Sequence, residues 1–366
     1  MNENLKILLR VAVGTATPDE VPPIDDEEWA RVYEECGRQT LLGVVADAAG
    51  RLTADRRPPQ KLWMQWLAVV ARIQGMNRLI DAEAVRLTRL LDSVGLRMRV
   101  LKGQHVARYY PDPSLRQPGD IDAWVTMDGT ERVSRQVPEI FRRISSLGEG
   151  GLESPTYHHV EWNAGPVSVE VHYRPSFFFN HLANRRFQRW AKEWGDNHPS
   201  QTGVTWQGAD FDRVYLLVHI YRHIISEGVG LRQLMDYAML LVSHPVTHAE
   251  RDETARVLRR LQMTGVARAV MYAMREVFAI PDSLLILPPD EKTGRKFLAE
   301  VCRSGNFGHH DDRINTRRLG SESGSFWLHT KRRARYLFAY PQEIVFDVPF
   351  RLWHYQWRKK RGRGMK

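Results

Sequence analysis

The chain is 366 residues long, 43% apolar and 26% charged, with a formal charge of +10. That length allows two to three domains with full cores, and the mix excludes a disulfide-stapled miniprotein, a fibrous or collagen-like chain and a disordered polyelectrolyte. Six of the positive charges lie in the last ten residues, Trp357 to Lys366, which carry no acid. The rest sums to 10 − 6 = +4, so basicity is largely a tail property and argues against a nucleic-acid-binding body.

No run approaches the roughly 18 uninterrupted apolar residues of a spanning helix. Met1-Asn2-Glu3-Asn4 has neither the basic start nor the apolar run of a signal peptide. Cys36 and Cys302 are too few for a disulfide framework or a Cys-rich metal cluster and read as buried thiols. The expected location is the cytoplasm.

In chain order, Trp29, Val32, Tyr33, Leu41, Leu42, Val44 and Val45 recur at helical spacing and predict two short helices between Glu27 and about Gly50, followed by a polar loop over Arg51 to Gln60. Lys61 to Val94 carries the longest helical stripe, from Leu62 and Trp66 to Leu79 and Ile80, with a break expected near Gly75 and a stop at Gly95. The grain then changes to strand-length apolar runs: Arg97 to Leu101, Ile121 to Thr126, His158 to Asn163 and Val167 to His172. Asn163-Ala164-Gly165-Pro166 is the hairpin turn of the last two, and a helix is expected from about Gly129 to Leu147. Beyond Phe211 the helical period returns and continues to Phe278. No repeat is visible, and the only low-complexity run is Arg358-Lys359-Lys360-Arg361-Gly362-Arg363-Gly364.

The informative chemistry lies between Leu101 and His172. In Asp120-Ile121-Asp122-Ala123-Trp124-Val125, a strand that buries Ile121, Ala123 and Val125 sets Asp120 and Asp122 side by side on its other surface. Two like charges so close call for a cation between them, and a hard ion such as Mg²⁺ or Mn²⁺ held by carboxylates leaves positions for substrate phosphates. In Val167-Ser168-Val169-Glu170-Val171-His172 the valines mark the buried face, so Glu170 is the candidate third carboxylate. Such a triad suits in-line phosphoryl or nucleotidyl transfer. Gly103 after an apolar strand lets backbone N–H groups approach a phosphate, and Lys102 and Arg116 supply positive charge. Taken singly, each piece also fits a solvated strand edge or turn.

The order strand-Gly, helix, Arg, Asp-x-Asp strand and acidic strand resembles the DNA polymerase β-like nucleotidyltransferase superfamily. More narrowly, Leu101-Lys102-Gly103, Tyr110-Pro111, Arg116 and Asp120-Ile121-Asp122 are similar to the uncharacterised bacterial nucleotidyltransferase family. The resemblance continues through Val169-Glu170-Val171-His172-Tyr173, His219, His223 and Gly228 to Asp236, and reaches Gly305-Asn306-Phe307-Gly308. It implies that Asp120 and Asp122 are metal ligands, Glu170 the third carboxylate and Gly103 the nucleotide-phosphate turn. The superfamily turn usually reads Gly-Ser or Gly-Gly; here Gln104 follows Gly103, and Lys102 is the candidate replacement for the serine hydroxyl.

Outside this block, His219 and His223 share a helix face and fit a metal pair, a polar contact to substrate or a structural pair. Arg232 and Asp236 fit a helix-surface ion pair, yet the Gly-Val-Gly entry to their helix favours an anion, which makes Arg232 a candidate nucleotide contact. His158 and His159, as strand neighbours, are expected to point to opposite faces, and His172 to orient Glu170. His309-His310-Asp311-Asp312 reads as a polar loop. The aromatic and basic tail suits an anionic surface, membrane or RNA, or a solvated end.

The expected architecture is α+β: an N-terminal helical region (1–84), a small mixed-sheet nucleotidyltransferase core (85–205), a C-terminal helical domain (206–350) and a basic tail (351–366). The expected reaction is metal-dependent transfer of AMP from ATP to a small-molecule, protein or RNA acceptor. Asp120, Asp122 and Glu170 would be catalytic and metal-binding, with Lys102, Gly103, Arg116 and Arg232 on the nucleotide. The alternatives are a catalytically weak nucleotide-binding regulator or antitoxin-like partner, and a nucleic-acid binder acting through its tail.

Overall fold

Alternation of apolar and polar residues through short runs builds a sheet, and 3.6-residue periodicity around it builds helices. The structure, a computed structural model, describes residues 1–127, 133–305, 330–331 and 333–362. It is an α+β fold, 63% helical, with a small five-stranded mixed sheet. The chain forms two compact units, each assembled from separated segments.

The first unit comprises Met1–Met76, Ala107–Gln117 and Asp212–Arg333. Asn2 opens α1 (Glu3–Val13) by accepting from the Asn4 and Leu5 N–H groups, and Gly14 closes it at a φ of 87°. This helix packs on α3 (Leu42–Gly50), which follows α2 (Asp26–Gln39). The two short helices expected between Glu27 and Gly50 are therefore present. α4 (Gln60–Ser93) begins in this unit. It runs without interruption through Gly75, because a lone glycine inside a long helix costs about 1 kcal/mol without removing a hydrogen bond; the expected break is absent.

After α8 (Ala209–Ser226), α9 (Leu231–Ser243) is buried at every position from Leu231 to Leu241. Its first N–H is satisfied by Gln39 Oε1 at 2.9 Å. α10 (His248–Arg260), α11 (Thr264–Phe278) and α12 (Glu291–Ser304) complete this helical layer, with α11 packed on α1, α9 and α12.

The second unit comprises Asn77–Val106, Pro118–Phe211 and the chain from Ala334. Its strands are β1 (Arg97–Val100), β2 (Ile121–Thr126), β3 (Leu152–Glu153), β4 (His159–Trp162) and β5 (Val169–His172), in the order β1-β2-β5-β4-β3. Only β2 and β5 run parallel; the other neighbours are antiparallel. Met98, Val100, Ile121, Ala123, Val125, Val160, Trp162, Val169 and Val171 fill one face. There they pack against Ile80, Ala84, Leu87 and Leu91 of α4 and Val137, Ile140 and Ile144 of α6 (Val133–Ser145). The four expected strands are all present, within one or two residues. Residues 129–132 of the expected helix lie outside the described residues.

Four helices were not placed by the sequence periodicity: α1, α7 (His181–Asn197), α12 and α13 (Pro341–Gly362). α7 shows Phe187, Trp190 and Trp194 at three- and four-residue steps, a helical stripe diluted by six charged residues. α13 reaches into the segment read as a tail. Glu343 near its start accepts from the backbone N–H groups of Phe179 and Asn180, and Phe350 and Trp353 pack on Tyr157. Among the described residues no helix is long and apolar enough to cross a membrane.

Candidate active site

The same alternation that buries the valines turns every second side chain of β2 and β5 to the opposite face. The register places Asp122 beside Glu170 and Trp124 beside His172, while His159 of β4 pairs with His172. Trp124 stacks on Phe211, which stacks on Trp190 of α7, so aromatic rings cover one part of this face. The polar part gathers around Asp122, which is 1% exposed.

His172 Nε2 lies 3.0 Å from Asp122 Oδ1 and 3.1 Å from Glu170 Oε2. Lys102 Nζ lies 3.1 Å from Asp122 Oδ2. The lysine is placed by the chain leaving β1: Leu101 N–H donates to the Asp122 carbonyl at 2.9 Å, and Gly103 then turns at a φ of +58°, the left-handed region that favours glycine. The next residue, Gln104, opens the short α5 (Gln104–Ala107) and donates from Nε2 to Asp81 Oδ1 of α4 at 2.7 Å. Its side chain thus ties the turn to a helix.

Burial opposes charge on every member of this group, but each finds opposite charge close by. The Lys102 ammonium is desolvated, yet Asp122, Asp120 and Glu170 outweigh that and push its pKa up. Burial likewise works against ionised Asp122, but Lys102 and His172 hold it below the usual carboxylate range; His172 does the same for Glu170. His172 itself is pushed up to about 9, burial being overcome by the hydrogen bonds it donates to both carboxylates and by their charge. His159, with burial and the His172 charge against it, falls to about 4 and stays neutral.

Of the sequence candidates, the fold brings Asp122, Glu170, Lys102 and Gly103 together in the second unit. Asp120, half-buried, immediately precedes β2, and its carbonyl lies 3.5 Å from where a Cβ on Gly103 would sit. Asp122, Glu170 and His172 each offer a ligand atom within 4.8 Å of the others, and so do His158, His159 and His172. Two carboxylate oxygens and an imidazole nitrogen facing one point are a donor set that fits a divalent cation.

Arg116 and Arg232 belong to the first unit. Arg116 forms a bidentate pair with Asp236, Nε and Nη2 each 2.7 Å from a carboxylate oxygen. Arg232 donates to the Gln117 carbonyl at 3.2 Å. His219 and His223 stack edge to face on α8 with centroids 4.3 Å apart, and His223 Nδ1 lies 3.4 Å from Glu227.

The expectation that His158 and His159 point apart is corrected. β4 begins at His159, so His158 sits in a bend where strand alternation does not apply, and the two rings are 4.3 Å apart. Sequence reasoning also undervalued His172, which bridges both carboxylates; its shared parity with Glu170 was the available signal. Asn306 to Gly308, His309 to Asp312 and the tail beyond Gly362 lie outside the described residues.

Residues 25–279 match the model of an uncharacterised nucleotidyltransferase family. The chain belongs to that family. No curated protein and no solved structure matches it. The matched span contains Lys102, Asp122, Glu170 and His172 and stops short of α12 and α13. Membership supports nucleotidyl transfer in general, with a nucleoside triphosphate as substrate.

Proposed function

We propose that the chain transfers a nucleoside monophosphate, AMP from ATP, to an acceptor nucleophile. The acceptor attacks the α-phosphorus in line, the bond from that phosphorus to the bridging oxygen breaks, and pyrophosphate leaves. Asp120, Asp122 and Glu170 would hold Mg²⁺ or Mn²⁺, and a bound cation supplies neutralisation of charge on the phosphate oxygens. Glu170, the more exposed of the paired carboxylates, takes the acceptor proton. Lys102 faces the phosphates as a fixed positive charge, and the Gly103 turn lets backbone N–H groups approach them.

The observation that carries this reading is the pairing of Asp122 with Glu170 across the parallel strands, with Lys102 held against the same carboxylate. A second reading, a nucleotide-binding regulator with little turnover, is favoured by one feature: each oxygen of Asp122 already faces a cationic group, Lys102 or His172.

The deciding experiment titrates ATP, GTP, CTP and UTP with Mg²⁺ into wild type and Asp120→Ala/Asp122→Ala by calorimetry, with pyrophosphate release and intact mass followed in parallel. Metal-dependent binding of ATP, lost in the double variant and accompanied by pyrophosphate, supports the transferase. Binding without pyrophosphate favours the regulator, and no binding of any nucleotide by folded wild type overturns both.

A further inference from the structure

The donor group at the centre of the sheet is not all oxygen. His172 is buried, and its Nδ1 lies 3.4 Å from the Arg174 carbonyl, which aims Nε2 at Asp122 Oδ1 and Glu170 Oε2. An imidazole held by its other ring nitrogen to a backbone carbonyl is the arrangement that orients a histidine for a metal. The ring has little freedom to turn away, because His159 and His158 pack against it with centroids 5.1 and 5.3 Å away. Lys102 faces the far oxygen of Asp122, and the near oxygen shares one point with His172 Nε2, where an ion would take the place of the proton between them.

We propose that His172 Nε2 is itself a ligand of the metal centre, together with Asp122 Oδ1 and Glu170 Oε2, and that the site therefore selects a first-row transition cation over Mg²⁺. Mg²⁺ takes oxygen ligands and keeps several waters, whereas imidazole is a good ligand for transition ions and follows the order in which Mn²⁺ is the weakest and Zn²⁺ far stronger. The proposal rests on the nucleotidyl-transfer reading only for what the ion does; occupancy by the ion is a separate matter and is tested separately.

The test uses full-length protein freed of metal with a chelator, Mn²⁺ as the probe, and Mg²⁺ as competitor. Pulsed electron paramagnetic resonance of the Mn²⁺-loaded protein reports a directly bound ¹⁴N. Wild type is expected to show that nitrogen coupling and to bind Mn²⁺ at least about tenfold more tightly than Mg²⁺. His172→Asp, which makes the set all oxygen, is expected to lose the coupling and to bring the two affinities close together. His159→Gln is expected to keep both properties, and its circular dichroism serves as the folding reference should His172→Asp fail to fold.

Absence of nitrogen coupling in Mn²⁺-loaded wild type, or equal affinity for the two ions, overturns the proposal. So does a coupling lost in His159→Gln but retained in His172→Asp. ATP binding measured on the same samples separates the two readings. Metal-dependent ATP binding without a nitrogen ligand overturns the His172 assignment and leaves nucleotidyl transfer standing. A nitrogen-ligated ion without any nucleotide binding supports His172 as ligand and overturns the proposed function.

Discussion

Asp122 and Glu170 are direct register partners on the parallel strands β2 and β5, and their carboxylates meet at one imidazole nitrogen, 3.0 and 3.1 Å away. The arrangement is a balanced cluster: two carboxylates face His172 and Lys102, and all four are wholly or largely withdrawn from water. Its parts are unequal, since Asp122 is fully enclosed and Glu170 is about a quarter exposed.

Replacing the enclosed carboxylate should therefore cost stability as well as function. Asp122→Asn leaves Lys102 buried with weaker partners, and breaking a buried pair typically costs about 3–5 kcal/mol. Lys102 keeps some solvent access, which lowers the expected loss to about 2 kcal/mol. Glu170→Gln should lose about half of that. Urea unfolding of the metal-free proteins checks the ranking; equal stability for both variants would mean that Asp122 is not the anchor of the cluster.

Two glycines should respond differently to alanine. Gly103 turns at a φ of +58°, and a Cβ there meets nothing closer than 3.5 Å, so Gly103→Ala should cost only backbone strain, about 1 kcal/mol. Gly43 of α3 is helical, but a Cβ there would stand 2.0 Å from the Leu115 carbonyl oxygen. Backbone cannot swing aside as a side chain can, so Gly43→Ala should cost about 3 kcal/mol. Thermal melts read both. A Gly43→Ala protein that melts with wild type would show that α3 and the Leu115 turn are free to separate.

Much of the site could be read from parity alone. Val169 and Val171 face the core and Ile121, Ala123 and Val125 do likewise, so Asp122 and Glu170 had to share the other face. Parity failed at His158 because it holds only inside a strand, and β4 begins one residue later. The break expected at Gly75 failed because helix continuity is set by the hydrogen-bond ladder and by packing of neighbours such as Ile73 and Ile80, both buried. The partners of Arg116 were illegible for another reason: Asp236 is 120 positions away, and i, i+4 spacing suggested Arg232 instead.

Acid should loosen α13. His354 stacks between Phe350 and Trp357, and burial, aided by the Arg358 charge, lowers its pKa to about 4 from 6.5. The folded protein then prefers neutral His354, so the unfolded chain binds more protons between those values. Stability from this contact is complete above about pH 6.5 and is lost as the pH falls toward 4. The full gap corresponds to about 3 kcal/mol, which partial exposure reduces to about 1–2. His354→Phe should flatten that limb of the curve of stability against pH; an unchanged slope would place the acid sensitivity elsewhere.

Charge and position in the sequence made Arg116 a candidate phosphate contact. In the first unit its guanidinium grips both oxygens of Asp236, and Tyr110 donates to Oδ1 of the same carboxylate at 2.7 Å. Burial, and then the Asp236 charge, push the Tyr110 phenol well above its usual range, which keeps it a donor. Lysine carries the charge of arginine without the planar fork, so Arg116→Lys keeps electrostatic attraction but loses the bidentate fit. Breaking one arm of a buried pair should cost about 2–3 kcal/mol, and Tyr110→Phe, which leaves Asp236 with its arginine, about 1. If Arg116 is a structural strut, ATP affinity of the folded Arg116→Lys protein, measured at low urea and low temperature, should match wild type. A variant with wild-type stability and weakened ATP binding would instead return Arg116 to the nucleotide.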